Sequence, residues 1–307
     1  MMTCNFYITD VFTKQAFGGA QVAVFPDASG LEKEQMAIMA KELNLTESVF
    51  VMPPEETDNS YRMYVFTPNG EVDFSGHPII ATGFVLASSG VITLDEATTA
   101  LTLQQNVGAI DVTISGQGNQ PEFVRFSRQF SSIVDRFAPR DVELAQILSI
   151  APELIDNKHY TARLVFCGAP YLVVPVHSYE AVREARFDFN AWSQSVAPQT
   201  TAQEVLLFSR KSAHQDIDFH CRLLGSKISH YDDPPVGTAM PALAAYLCSY
   251  DHIREGTYTF SVDRGEAKNR RSVLSLEMDK KADQLMTLRL GGEAVLVAEG
   301  SMKVPDL

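Results

Sequence analysis

Residues 73–89 read Asp73-Phe74-Ser75-Gly76-His77-Pro78-Ile79-Ile80-Ala81-Thr82-Gly83-Phe84-Val85-Leu86-Ala87-Ser88-Ser89, and they decide the fold. From Pro78 to Ser89 the chain carries no charge, has helical length and stops at Gly90. A helix that is apolar all round has no face for water and must be enclosed by protein. A second segment of the same character runs Ala239-Met240-Pro241-Ala242-Leu243-Ala244-Ala245-Tyr246-Leu247-Cys248-Ser249, after Asp233-Pro234-Pro235-Val236-Gly237-Thr238. Gly76 and Gly237 stand about half a chain apart, which points to a duplicated plan with one buried helix per half.

Outward from these helices, most of the chain reads as short strands rich in β-branched and aromatic residues. They fall at 61–66, 101–103, 109–114, 122–126, 163–166, 171–176, 205–209, 217–224, 258–262, 273–278, 286–290 and 294–297. The first ends at the turn Pro68-Asn69-Gly70. Amphipathic helices are expected at 32–43, with Met36, Met39 and Leu43 on one face, and at 142–150. Strands in series with few helices predict an α+β chain rather than alternating βαβ units, with a boundary around 127–139.

The 307 residues carry 25 Lys and Arg against 38 Asp and Glu, a formal charge of −13. Nucleic acid and anionic membranes select basic surfaces, so neither is expected as a partner. A small anion needs only local donors and stays compatible. No apolar run reaches the roughly 18 to 20 residues of a membrane span, and the N-terminus lacks a basic region, so a cytoplasmic location is expected. Cys4, Cys167, Cys221 and Cys248 show no close pairing and read as reduced thiols. The seven histidines have no metal-ligand spacing. There is no dinucleotide or P-loop glycine motif, no metalloprotease helix and no nucleophile elbow, so neither metal nor cofactor is expected. Arg270-Arg271 and Lys280-Lys281 read as solvated charge near hairpin ends.

A helix N-terminus leaves N–H groups unpaired and attracts anions. Glycine just before it lets a ligand approach the backbone. Gly76 and Gly237, facing one another, would hold a carboxylate; on local pattern alone, each reads first as a turn glycine. His77 either donates to a ligand or satisfies a loop carbonyl. Glu47 lies in Leu45-Thr46-Glu47-Ser48-Val49-Phe50-Val51; if this is extended, Leu45, Glu47, Val49 and Val51 share a face. Glu47 is then a general base in a desolvating cleft or an exposed carboxylate at a strand start. Asp233, before two prolines, and Asp73 read as turn formers or site residues, and Asp232 as solvated.

Taken together, several motifs resemble the phenazine-biosynthesis isomerase (PhzF-like) family, within the diaminopimelate epimerase-like fold. They are Asp10-Val11-Phe12-Thr13, Val22-Ala23-Val24-Phe25, 43–51, Phe66-Thr67-Pro68, 71–78, 232–239 and 292–300. The resemblance implies two pseudo-symmetric domains, each a curved, mostly antiparallel sheet around a central helix, with the active site between them. The domains implied are 1–128 plus about 292–307, and 129–291. Glu47 falls on the family's proton-shuttling glutamate, and His77, Asp233 and Thr238 on polar site positions. Gly76 and Gly237 fall on the helix-start glycines, with Ser75 beside the first as a substrate contact. A homodimer is implied as well. Gly19-Ala20-Gln21 stands where the family usually has Gly-Asn-Pro, and Val236 where threonine is common.

Related racemases place a thiol before each helix-start glycine. Ser75 and Val236 occupy those positions here, which disfavours two-thiol racemisation. The function expected is a cofactor-independent isomerase moving a proton within a small unsaturated or cyclic carboxylate, with dihydro-3-hydroxyanthranilate as precedent. The alternatives are an isomerase or lyase acting on another metabolite, and a binding protein without catalysis.

Overall fold

The computed structural model describes residues 2–54, 59–228, 233–266, 269–281 and 285–307; Asp232 lies outside them. The chain divides into two compact units. The first comprises Met1–Arg128, Glu266–Val273 and Leu290–Leu307, and the second Gln129–Gly265 and Leu274–Arg289. The architecture is mixed α/β, mostly strands with few helices.

The first unit opens with β1 (Thr3–Val11), β2 (Ala20–Phe25), α1 (Lys33–Leu43) and β3 (Glu47–Met52). It continues with β4 (Ser60–Thr67), β5 (Gly70–Val72), α2 (His77–Ser88), β6 (Thr98–Gln105), β7 (Gly108–Gln117) and β8 (Gln120–Ser131). β1–β2, β3–β4, β4–β5, β6–β7 and β7–β8 pair antiparallel. β2–β3 and β4–β6 pair parallel.

Parallel neighbours need a crossover, and α1 and α2 lie in those two connections. These two crossovers sit among antiparallel neighbours and do not make the chain one of alternating βαβ units. A strand's own residue pattern does not say which strand it pairs with, so crossovers cannot be read from it.

α1 begins with a reciprocal capping box between Glu32 and Gln35 and ends at Asn44, in the left-handed conformation with φ 50°. That turn sends the chain into β3, so Glu47 becomes the first strand residue. Met36 and Met39 pack with Phe25, Phe50 and Phe66, and the Phe25 and Phe50 rings stack at 4.5 Å.

α2 is buried from His77 to Ala87, as an all-apolar helix must be, and packs on β1, β2, β3 and β7. Burial of Ile79, Ile80, Val85 and Leu86 contributes about 1.5–3 kcal/mol each. Gly83 sits mid-helix because a Cβ there would come within 2.9 Å of Val124 Cγ1. Close contact with β8 offsets the roughly 1 kcal/mol that glycine costs a helix.

The second unit contains β9 (Ile133–Asp135), α3 (Asp141–Leu148), β10 (Arg163–Cys167), β11 (Ala169–Val176), α4 (Tyr179–Glu184) and α5 (Phe189–Gln194). There follow β12 (Glu204–Ser209), β13 (Phe219–Gly225), α6 (Met240–Cys248), β14 (Gly256–Glu266), β15 (Asn269–Lys280) and β16 (Leu285–Gly292), of which Glu266, Asn269–Val273 and Leu290–Gly292 are counted with the first unit. Strand β17 (Ala294–Lys303) belongs to the first unit and pairs antiparallel with β1. In the second unit, β9–β10, β10–β11 and β12–β13 pair antiparallel. β11–β12 and β13–β14 pair parallel, with α4 and α5 in the first connection and α6 in the second. The core gathers Leu144, Ile147 and Leu148 of α3 with Leu172, Val174, Trp192 and Val205.

Candidate active site

Glu47, Ser75 and His77 come together in the first unit at the start of α2. Strand β3 pairs in parallel with β2, setting Glu47 opposite Val22, and antiparallel with β4, setting Ser48 opposite Phe66. One strand later, Thr67 and Gly70 close the Pro68-Asn69-Gly70 hairpin: Thr67 Oγ1 donates to the Gly70 carbonyl at 3.1 Å, and Gly70 has φ 139°. The loop 73–75 then delivers Ser75 and His77 back to Glu47. All three are nearly or fully shut from solvent, with Glu47 6%, His77 3% and Ser75 0% exposed. The exposed strand-start reading of Glu47 is thus set aside. Val49 and Val51 share its face and draw that edge inward.

Ser75 Oγ donates to Glu47 Oε2 at 2.9 Å, and His77 Nε2 lies 2.6 Å from the same oxygen. Nε2 is thus in close contact with Glu47 without an aligned hydrogen bond. Both contacts fall on Oε2, and neither touches Oε1. His77 Nδ1 lies 3.5 Å from Ser75 Oγ.

Gly76 caps α2 at φ −81°, ψ −43°, a conformation open to any residue. Gly237 likewise lacks a positive φ. Backbone strain therefore does not demand glycine at either place, which leaves freedom from a Cβ as its advantage. The amides of Gly76 and His77 meet no acceptor among the described residues, and Pro78 has none to offer.

Asp233, Gly237 and Thr238 lie in the second unit. Asp233 Oδ2 accepts from Arg183 Nη1 at 2.5 Å, and its carbonyl accepts from Arg264 Nη1 at 2.6 Å. Its Oδ1 is buried without a hydrogen-bond partner among the described residues. Gly237 does not directly precede the α-helix. It opens a 3-10 turn, Gly237–Ala239, ahead of α6. Pro241 has no N–H for the Gly237 carbonyl, so Met240 N–H takes it one residue earlier. Burial and the Glu204 charge push the Tyr171 hydroxyl up to about 12, with the neighbouring Thr238 hydroxyl acting to lower it.

The sequence did not single out Gln105, which is buried beside Ser75 and bonds both its N–H and its carbonyl at 3.1 Å. A signal existed: Leu101, Leu103 and Gln105 recur with period two, placing the amide on the inward face of β6. Asp73 is exposed and accepts from Asn106 Nδ2 at 3.1 Å. Arg270 and Lys280 are not simply solvated. Arg270 Nη1 pairs at 2.8 Å with Asp10, a fully buried carboxylate that needs a charge partner. Lys280 Nζ donates to the Ile253 carbonyl at 2.6 Å.

A family model described as phenazine biosynthesis-like protein matches residues 9–300. The chain belongs to that family. A protein named an uncharacterized isomerase from Mesorhizobium japonicum is 28% identical over 305 residues, covering 98% of this chain and 99% of the relative. A trans-2,3-dihydro-3-hydroxyanthranilate isomerase from Pseudomonas fluorescens is 26% identical over 306 residues, covering 97% and 99%. The crystal structure of a PhzF-family phenazine biosynthesis protein from Bacillus anthracis superposes with a TM-score of 0.85 at 23% identity, covering 99% of this chain and 100% of that one. The chain is an enzyme of this isomerase family.

In this PhzF-family chain the thiols stand away from the helix starts. Cys4, Cys167 and Cys221 are buried. Burial, then the Asp27 charge, pushes Cys4 up to about 11. Burial does the same for Cys248 against the nearby Lys280, and lifts Cys221 well above the usual thiol range. None of these three is a thiolate at neutral pH. Among the described residues, no group of three or more His, Cys, Asp or Glu is placed to hold a metal ion. No described helix is long and apolar enough to cross a membrane.

Proposed function

We propose that this protein is a cofactor-independent isomerase that moves a proton within a small unsaturated or cyclic carboxylate, using Glu47 as both base and acid. The observation that carries the proposal is one buried carboxylate with a hydroxyl and an imidazole gathered on a single oxygen, at the start of an enclosed helix. Ser75 and His77 hold Oε2, so Oε1 takes the proton from one carbon and returns it to another. One carboxylate suffices for both steps when water is excluded. The Gly76 and His77 amides bind the substrate carboxylate or the charge that develops in the transition state. Thr238, Gly237 and Asp233 are proposed as further substrate-binding or orienting positions, on the strength of the family resemblance.

Relatives named trans-2,3-dihydro-3-hydroxyanthranilate isomerase, at about a quarter identity, make that acid the first substrate to try. The two units are proposed to be copies of one plan. The same order of pairings supports this: antiparallel, parallel across helix, antiparallel, parallel across helix, from β1 to β6 and from β10 to β14.

The test incubates the protein in D2O with trans-2,3-dihydro-3-hydroxyanthranilate and other small cyclic unsaturated acids. Isomerisation with deuterium uptake at carbon is expected for at least one. Binding of such acids with neither exchange nor isomerisation would support the binding-protein alternative and overturn the proposal.

A further inference from the structure

Resting on that reading, we propose that Gln105 is a positioning residue for Glu47, acting through Ser75. Gln105 ends β6, and its carboxamide grips one residue at two points. Oε1 accepts from the Ser75 N–H and Nε2 donates to the Ser75 carbonyl, both at 3.1 Å, while Nε2 also lies 3.6 Å from Met63 Sδ. A buried amide matched in this way resists rotation, because turning it would strand a donor and an acceptor together. The residue it grips is the one whose hydroxyl reaches Glu47.

The next residue anchors the same loop from its exposed side. Asn106 Nδ2 donates to Glu71 Oε1 at 2.8 Å and to Asp73 Oδ1 at 3.1 Å. Two consecutive residues of the β6–β7 turn thus fix the chain between 71 and 75. Every member of the path Gln105, Ser75, Glu47, His77 is buried, so no water-facing side chain loosens it. Because Gln105 occupies the Ser75 N–H, the helix-start amides left for a ligand are those of Gly76 and His77.

The test separates positioning from mere satisfaction of a buried peptide. Histidine rings labelled with 15N, with His77 assigned through its loss in His77→Asn, report on the site without substrate. Gln105→Leu is expected to move the His77 ring signals, as is Ser75→Ala, and the double variant to move them no further than Ser75→Ala alone. His77 signals unmoved by Gln105→Leu but moved by Ser75→Ala would overturn the proposal. Gln105→Met, close in volume, takes the place of Leu if that variant does not fold.

Turnover of trans-2,3-dihydro-3-hydroxyanthranilate gives the second arm. Gln105→Leu should lower kcat about 10- to 100-fold, the scale of misplacing a reacting group, with KM little changed. Gln105→Glu keeps both a donor and an acceptor while protonated and loses the donor on ionising. Its rate relative to wild type should therefore fall as pH rises. A ratio constant with pH, or losses that simply multiply with those of Ser75→Ala, would contradict the assignment. Coupled His77 signals without turnover of any of the small cyclic unsaturated acids would count against the isomerase reading and leave the Gln105 linkage standing.

Discussion

The two helix starts resemble each other in sequence but differ in what surrounds them. At Gly76 a carboxylate, a hydroxyl and an imidazole meet within 3.5 Å of one another, closed in by β3 and α2. At Gly237 the neighbours are Val236, which exchanges no proton, and Thr238, whose hydroxyl lies near Tyr171. The nearest acid along the described chain, Asp233, is drawn into contacts with Arg183 and Arg264. On the proposed reading, similar helix starts serve two ends: proton chemistry at the first and binding at the second.

The sharpest way to break this contrast is substitution at the two starts under one assay. Glu47→Gln should lower kcat by about 10²–10⁴-fold, the usual worth of a general acid–base group. Asp233→Asn, by contrast, should act chiefly on KM; an equal loss of kcat would erase the distinction. Next in size, Gly76→Ala and Gly237→Ala should each raise KM about tenfold by putting a Cβ where a ligand meets the backbone, with melting temperatures little altered because neither φ is positive. Steady-state kinetics beside thermal melts would check both. An unchanged KM would return these glycines to a turn role. Thr238→Ser should stay within a few-fold of wild type, whereas Thr238→Val, lacking the hydroxyl, should lose more.

A smaller effect concerns the loop that carries Ser75. Burial alone would push the Glu71 carboxyl up, but bonds from Lys33 and Asn106, with the Lys33 and Arg62 charges, hold it below the ordinary carboxylate range. A carboxyl depressed in the folded state contributes stability above its unfolded pKa and loses it as pH falls through the folded one. Below about pH 4.5, melting temperature should therefore fall more steeply for wild type than for Glu71→Gln. Parallel curves would show that this network adds nothing to stability.

Much of the fold was legible where composition alone forces an outcome. An uncharged run such as Pro78 to Ala87 has one physical destination, and the structure buries it. The short helices α4 and α5 escaped because six residues show too little periodicity, and the crossovers escaped because pairing partners lie outside a strand's own pattern. At the site, Ser75, Gly76 and His77 stood together in sequence, but the burial of Glu47 depended on β2 and β4 on either side of it. Gln105 was legible only in part: its period-two spacing with Leu101 and Leu103 places it inward, but does not say which peptide it grips.

The central claim is that one carboxylate both removes and returns the proton. Deuterium uptake into trans-2,3-dihydro-3-hydroxyanthranilate and its isomer in D2O, compared between wild type and Glu47→Gln, tests it most directly. Uptake in the wild type that is lost in a folded Glu47→Gln protein is the predicted result. Uptake that continues at the wild-type rate in that variant would contradict it.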